Sequence, residues 1–197
     1  MSLRYLGKES RRIGNYLKHE LGPVELHAVH EGAAARNVTL SWSLCTLEGK
    51  VLAQGSDKYT VQPGRGSLLK TVDVGDQVNA AGRTRVYLRG ELRDEAGQVI
   101  SSDTCLFAPP RDVELQREKI TTTWTRTAAD RAVVTVSSTT FHYRVWLALE
   151  NTGVRWADNY FDLYPNAPIQ IEAKFPSAIS DEALAKLKVM SLVDSYV

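Results

Sequence analysis

The sequence predicts an all-β chain of two tandem antiparallel β-sandwiches that follow a short N-terminal helix. Apolar residues recur at every second position over most of the chain beyond residue 23, which is typical of half-buried strands. Short runs of Gly, Pro, Asn and Asp separate these segments, as in hairpin-connected strands. With 197 residues and 43% hydrophobic content, the chain is long enough for two small domains, each with its own core.

The N-terminal segment, residues 3–21, departs from the period of two. Its apolar residues recur at helical spacing, which predicts an amphipathic helix: Leu6, Ile13, Tyr16, Leu17 and Leu21. Gly22 and Pro23 end the helix. No comparable helix elsewhere in the sequence can cover this stripe, so we expect it to pack on the first sandwich, pair with a second copy or be disordered.

The candidate strands follow Pro23. Seven lie in the first half: Val24–Val29, Asn37–Cys45, Lys50–Gln54, Lys58–Gln62, Ser67–Val74, Thr84–Arg93 and Gln98–Phe107. Six lie in the second: Glu114–Gln116, Ile120–Arg126, Arg131–Ser137, Tyr143–Glu150, Ile169–Phe175 and Leu187–Leu192. Residues 54–57 are a predicted turn, and residues 180–186 are either one helical turn capped by Ser180 or a plain turn. Short connections favour antiparallel sandwiches over a parallel sheet.

Two consecutive prolines, Pro109 and Pro110, mark the domain boundary, because neither can donate a ladder hydrogen bond. The predicted division is therefore an N-terminal helix over residues 1–22, a first sandwich over 23–108 and a C-terminal sandwich over 109–197. Each predicted sandwich lies within the usual size range of a domain.

Charge and hydropathy give no indication of a nucleic-acid or membrane partner. Lys and Arg total 24 against 23 for Asp and Glu, a net charge of +1, so no basic surface is expected. The apolar runs are far shorter than the ~20 residues that cross a bilayer, and the N-terminus lacks the apolar stretch of a signal peptide. The compartment and the oligomeric state stay undetermined from the sequence.

The two cysteines, Cys45 and Cys105, have a spacing that could bridge two sheets of a sandwich. Leu40, Trp42 and Leu44 alternate on the buried face of their predicted strand, which points Cys45 to the other face. The strand phase therefore favours free thiols over a disulfide.

No pattern in the sequence indicates a metal, a cofactor or a catalytic centre. The four histidines are scattered, and neither a His-Glu-x-x-His nor a Cys-x-x-Cys motif occurs. Asp158 with Asp162, and Glu114 with Glu118, are the carboxylate pairs that a glycosidase could use. Both pairs lie among turn or linker residues, so solvated carboxylates are the better interpretation.

Aromatic residues cluster in the second half, where nine of the sixteen lie between Trp124 and Phe175. They either form the core of the sandwich or provide platforms on which a pyranose ring stacks. Core packing is the favoured interpretation. Trp146, Trp156 and Tyr160 are the candidate contacts for a sugar or a neighbouring domain, and the phase of Trp146 puts it opposite the buried face of its strand.

Several segments resemble a known family. Residues 156–165, Trp-Ala-Asp-Asn-Tyr-Phe-Asp-Leu-Tyr-Pro, and residues 187–196, Leu-Lys-Val-Met-Ser-Leu-Val-Asp-Ser-Tyr, resemble the C-terminal immunoglobulin-like domain of β-mannosidases in glycoside hydrolase family 2. Residues 107–115 are similar to the junction between that domain and the preceding sandwich, and residues 17–24 to the passage from the last barrel helix into it. Asn166 stands where the family usually has Gly, and Asn also tolerates a left-handed turn.

The resemblance implies two immunoglobulin-like domains behind a helix that is the end of a catalytic barrel. In that family the acid/base glutamate follows an asparagine and both catalytic glutamates lie on the barrel. No asparagine of this chain precedes a glutamate, so no catalytic residue carries over. The implied role is that of an accessory partner of the barrel in an enzyme that removes terminal β-D-mannose with retention. The alternatives are a sugar-binding module with exposed aromatics and an independent interaction or adhesion module.

Overall fold

The computed structural model describes residues 2–5, 8–13, 16–20 and 23–196. Its strands are β1 Ser2–Tyr5, β2 Lys8–Ile13, β3 Tyr16–Glu20, β4 Val24–Val29, β5 Arg36–Thr46, β6 Val51–Val61, β7 Gly66–Val72, β8 Val86–Arg93, β9 Val99–Leu106, β10 Thr121–Ala128, β11 Arg131–Ser137, β12 His142–Ala148, β13 Arg155–Trp156, β14 Phe161–Leu163, β15 Ile169–Lys174 and β16 Lys188–Met190. The helical elements are short: α1 Gly75–Ala81, α2 Asp181–Leu184, and the 3-10 turns Pro110–Asp112 and Leu192–Ser195. The prediction of an all-β chain is confirmed.

Two compact units divide the chain. One consists of the described residues up to Thr46 together with Lys50–Glu114, and the other of Leu47–Gly49 together with the described residues from Leu115 onward. In the first unit the two larger sheets have the strand orders β1-β4-β7 and β6-β5-β8-β9, and β2 and β3 form a two-stranded sheet. Neighbouring strands pair antiparallel, and the apolar faces of both sheets share one core, which includes Val24, Leu26, Val72, Leu40, Leu44 and Leu88.

The second unit pairs a sheet of order β10-β11-β15-β13 with one of order β14-β12-β16. The core between them includes Val134, Val136, Val145, Leu147, Leu163 and Ile171. Val145, Leu147 and Leu149 are buried as their period of two predicts. Tyr143 is only half-buried, because it lies in a β-bulge between His142 and Val145 that shifts the phase of β12.

The prediction of an N-terminal helix over residues 3–21 is wrong. The described residues of this segment form strands β1, β2 and β3. β1 pairs antiparallel with β4, with Ser2 opposite His27, so its backbone groups find partners at the edge of the first sheet. Pairing with an existing sheet edge satisfies the backbone N–H and C=O groups of β1. The predicted helix would have needed a second helix to cover its apolar stripe, and the sequence offers none.

β2 and β3 pair antiparallel where the spacing of the apolar residues predicts a helix. Ile13 lies directly opposite Tyr16, and the two residues between them in the sequence are Gly14 and Asn15. Glycine disfavours a helix interior by about 1 kcal/mol relative to alanine. The pairing of β2 with β3 therefore prevails over the recurrence of apolar residues at three and four positions.

β6 is one continuous strand where the sequence predicts two. The predicted turn at residues 54–57 lies inside β6 and pairs with β5. Gly55 is directly opposite Trp42, and a Cβ added at Gly55 would come within 2.6 Å of the indole nitrogen of Trp42. Gly55 therefore makes room for the Trp42 side chain, which crosses the strand at this point, and does not form a turn.

The remaining differences concern short elements. Residues 114–116, a predicted strand, are irregular, and α1 is not predicted. Strands β13 and β14 have only two and three residues, too few to show a period. At residues 180–186 the capped helical turn is confirmed, because the Ser180 hydroxyl accepts a hydrogen bond from the N–H of Ala183 at 3.2 Å.

Cys45 and Cys105 are both free and buried. They face opposite sides of one sheet, since Cys45 is aligned with Tyr87 and Cys105 with its neighbour Leu88 on β8. Burial raises the pKa of the Cys105 thiol to about 12, which leaves almost no reactive thiolate at neutral pH. None of the helices that the structure describes is long and apolar enough to span a bilayer.

Candidate functional site

Two of the three aromatic candidates come together on one surface of the second unit. Trp146 on β12 and Tyr160, just before β14, stack with their ring centroids 6.4 Å apart and an angle of 10° between the ring planes. Tyr160 is 58% exposed, whereas Trp146 is half-buried. Met190 is the cross-strand neighbour of Trp146 and lies on the same face. We call the rings of Trp146 and Tyr160 the aromatic shelf.

The backbone that carries the aromatic shelf is left-handed at two non-glycine residues. The φ angle is 55° at Arg144 and 65° at Tyr160, and this conformation costs an L-residue about 1–2 kcal/mol. Arg144 lies in the β-bulge, where the register of β12 with β14 shifts between His142 and Val145. Bulges of this kind re-aim the side chains that follow them, here Trp146.

Two side chains, Asn159 just before β14 and Asp162 within it, hold this backbone in place. Asn159 Oδ1 accepts from the N–H of Leu147 at 2.8 Å, and its Nδ2 donates to the C=O of Leu147 at 3.1 Å. The Asn159 side-chain amide thus bonds the backbone of Leu147 in β12 in the way that a neighbouring strand would. The Asp162 carboxylate accepts from the N–H of Arg144 at 3.1 Å. The Arg144 guanidinium donates in turn to the C=O of Tyr160 at 3.4 Å, so both left-handed residues are held.

Trp156, the third aromatic candidate, lies in the other sheet of the second unit. Its strand β13 pairs with β15, where Trp156 is opposite Ala173, a fully buried core residue. Its ring centroid is 6.0 Å from that of Trp124, with 34° between the planes. Both indoles pack against the apolar core. Trp156 therefore has the core role that the sequence favours for the aromatics of this region.

Three of the four carboxylates that the sequence offers as acid–base pairs accept hydrogen bonds from their own domain, and the fourth, Glu118, is exposed. Asp158 and Asp162 each accept a hydrogen bond from a backbone N–H. Glu114 accepts from the Thr84 hydroxyl and from the Arg85 guanidinium, both at 2.8 Å. These bonds hold the pKa of Glu114 below its ordinary value. A general acid for glycoside cleavage needs the opposite shift.

Two open cavities lie over the β6-β5-β8-β9 sheet of the first unit. The first, about 490 Å³, is lined by residues that include Ser41, Ser43, Gln54, Ser56, Arg89 and Glu91. Glu91 is buried and forms ion pairs with the arginines two residues before and after it. The second, about 600 Å³, contains Asp94, which pairs with an arginine, and Glu95, which accepts from an amide. These carboxylates are engaged by neighbours, and no three His, Cys, Asp or Glu of the described residues form a metal-ion cluster.

His142 is the buried polar centre of the second unit, with only 2% of its surface exposed. Its Nε2 is 2.9 Å from Ser138 Oγ and its Nδ1 is 3.3 Å from Ser191 Oγ, and the Ser191 hydroxyl donates to Asp194 at 3.0 Å. A serine beside a histidine can be a nucleophile with its base, but Ser138 is itself buried and no substrate can reach it. The network is structural. The sequence does not indicate it, because Ser191 is 49 residues away.

Acid is expected to weaken the second unit through His142. Burial lowers the pKa of His142 below its ordinary value of 6.5, against the smaller opposing effects of Asp194 and Glu118. The unfolded chain therefore takes up the proton more readily. The contribution of the neutral histidine to stability is complete above about pH 6.5 and is lost as the pH falls from there towards the folded-state pKa.

Denaturant midpoints measured from about pH 7.5 to about pH 5 check this expectation. The midpoint of the wild-type second unit should fall more steeply than that of His142→Gln, which removes the titrating group. His30→Gln, at a surface position where the ring contacts the C=O of Ala34, should keep the wild-type slope. Equal slopes for the wild type and His142→Gln would contradict the expectation.

The two units define a class of protein, the tandem immunoglobulin-like sandwiches. One family model, the Mannosidase Ig/CBM-like domain, matches residues 22–112, and a second, an Ig-fold domain of the mannosidase type, matches residues 115–195. Residues 22–112 and residues 115–195 therefore belong to two families of mannosidase immunoglobulin-like domains. The prediction of two tandem immunoglobulin-like sandwiches is therefore confirmed, as is the resemblance to the accessory domains of glycosidases.

Solved structures with this fold include two glycosidases. A β-D-mannosidase from Dictyoglomus thermophilum aligns with 97% of the chain at a TM-score of 0.76 and 17% identity, and an exo-chitosanase from Amycolatopsis orientalis with 86% at a TM-score of 0.57 and 14% identity. The chain covers 21% of the first protein and 24% of the second. Comparison with curated protein sequences returns no significant match.

Proposed function

We propose that the chain is the accessory C-terminal part of a β-mannosidase-like enzyme of glycoside hydrolase family 2, and that it does not itself catalyse. The observation that carries the proposal is the pair of family matches, both to domains of mannosidases, over residues 22–112 and 115–195. The chain covers only 21% of the structurally similar β-D-mannosidase. We therefore assign the catalytic domain to another part of the polypeptide.

The chemistry of the described residues supports a non-catalytic role. Glycoside hydrolysis uses two carboxyl groups about 5–10 Å apart across the sugar, one of them kept protonated by a raised pKa. Here Glu91 is neutralised by two arginines, Asp162 holds the backbone of the bulge, and the pKa of Glu114 is lowered. The opposed acids are assigned to the barrel of the parent enzyme, which would be the intramolecular partner of these domains.

The proposed role of the two sandwiches is mechanical. In this role the two sandwiches cover apolar surface of the neighbouring catalytic domain and shape one rim of its substrate entrance. A carbohydrate-binding role is the second candidate, and the exposed ring of Tyr160 favours it. An independent adhesion module is the third, and it would need no catalytic domain in the same polypeptide.

The full polypeptide that contains this chain tests the proposal. It should hydrolyse an aryl β-D-mannoside, and the mannose first released should be the β-anomer by proton NMR, as retention requires. Cleavage of an aryl β-D-glucosaminide in its place would contradict the substrate class. A full polypeptide that cleaves neither glycoside would contradict the assignment to a glycosidase.

A further inference from the structure

We propose that the aromatic shelf binds one pyranose unit of a neutral, mannose-containing oligosaccharide. The choice of sugar rests on the proposed function, whereas the site itself does not. Tyr160 is 58% exposed, and the Trp146 ring lies parallel to it within 10°. A stacked pair of this kind offers a flat apolar surface of about the size of a sugar ring, on which the C–H groups of a pyranose can pack.

The aromatic shelf is held in place before any ligand binds. The N–H of Tyr160 donates to Asn159 Oδ1 at 3.2 Å, and its C=O accepts from Arg144 at 3.4 Å. The left-handed conformation of Tyr160 costs free energy, yet it leaves the ring in solvent and not in the core. A fixed aromatic face loses little conformational entropy on binding, which favours ligand recognition over a purely structural role.

The surroundings of the aromatic shelf fit a small uncharged ligand. Arg144 and Asp158 are exposed. Asp158 lies two residues before Tyr160 in the sequence, and the Arg144 guanidinium donates a hydrogen bond to the C=O of Tyr160. They provide donors and acceptors for hydroxyl groups, and with the nearby Asp162 carboxylate the surroundings contain charges of both signs and no cluster of one sign. Two rings and the adjacent Met190 expose far less apolar area than the ~800 Å² per partner of a stable protein interface. A sugar unit matches this size and polarity.

Titration of the chain with β-1,4-linked mannotriose tests the proposal by calorimetry. One stacked ring gives a weak contact, so the Kd should be on the order of 1 mM. Tyr160→Ala should raise the Kd by about tenfold, whereas Tyr160→Phe, which keeps the ring, should change it by less than about threefold. Leu68→Ala removes a 51% exposed apolar side chain from the first unit and should leave the Kd unchanged.

Three results would overturn the proposal. The first is no heat of binding for the wild-type chain at about 20 mM mannotriose. The second is the same Kd for the wild type and for Tyr160→Ala, with both shown to be folded by circular dichroism. The third is self-association in sedimentation that Tyr160→Ala abolishes, because the shelf would then be a contact between two copies. The β-mannosidase activity of the full polypeptide is a separate readout, so the failure of one proposal can be told from the failure of the other.

Discussion

Asn159→Ala is expected to destabilise the second unit by about 2–4 kcal/mol, because it leaves two backbone groups without partners. The Asn159 amide bonds both the N–H and the C=O of Leu147, and Leu147 is 1% exposed. Water cannot replace these bonds without opening β12. Denaturation followed by tryptophan fluorescence measures the loss, and hydrogen exchange at the Leu147 amide should accelerate in parallel.

Asn37→Ala is the matched control for this prediction. Asn37 also uses both ends of its amide, donating to Glu95 at 3.0 Å and accepting from Thr60 at 2.9 Å, but it is exposed and its partners are side chains. Its loss should cost less than about 1 kcal/mol, since water can take over both bonds. Equal losses for Asn159→Ala and Asn37→Ala would contradict the proposed backbone lock.

Gly55→Ala is expected to destabilise the first unit by about 1–3 kcal/mol through overpacking. The added methyl would lie 2.6 Å from the indole nitrogen of Trp42 and 2.9 Å from its Cε2. Trp42 packs against the apolar core, so the indole can move aside only by disturbing that core. Denaturant unfolding gives the free energy, and the fluorescence of the displaced indole should change in the native state.

Gly66→Ala separates this close contact from the general effect of filling a strand glycine. At Gly66, which begins β7, an added Cβ would meet only a methyl group of Val29, at 3.9 Å. Alanine should therefore be neutral there or stabilising by about 0.5 kcal/mol, through the unfolded state. A destabilisation as large as that of Gly55→Ala would show that the Trp42 contact is not the cause.

Periodicity and turn chemistry predict most of this fold. They fail where a contact between residues distant in sequence determines the local structure. The strand phase places Val145 and Leu147 in the core and Cys45 on the opposite face to Leu44. The turn predicted around Gly55 is wrong because only the pairing of β5 with β6 reveals that this glycine makes room for Trp42. Similarly, three- and four-residue spacing cannot show that β1 finds an open sheet edge.

The aromatic shelf could be predicted only in part. The phase of β12 turns Trp146 away from the core, and turn chemistry anticipates the left-handed Asn166, whose φ is 56°. The contact of Trp146 with Tyr160 depends on the bulge at Arg144, which a period of two does not reveal. The role of Asn159 likewise depends on Leu147, 12 residues earlier in the chain.

We propose that catalysis lies outside these residues, and one assay of the purified chain tests this most directly. Purified chain is incubated at high concentration with an aryl β-D-mannoside, and release of the aryl alcohol is followed over days. We expect no release above the buffer rate. Turnover by this chain that Glu91→Gln or Asp162→Asn abolishes, while the variant stays folded, would contradict the account.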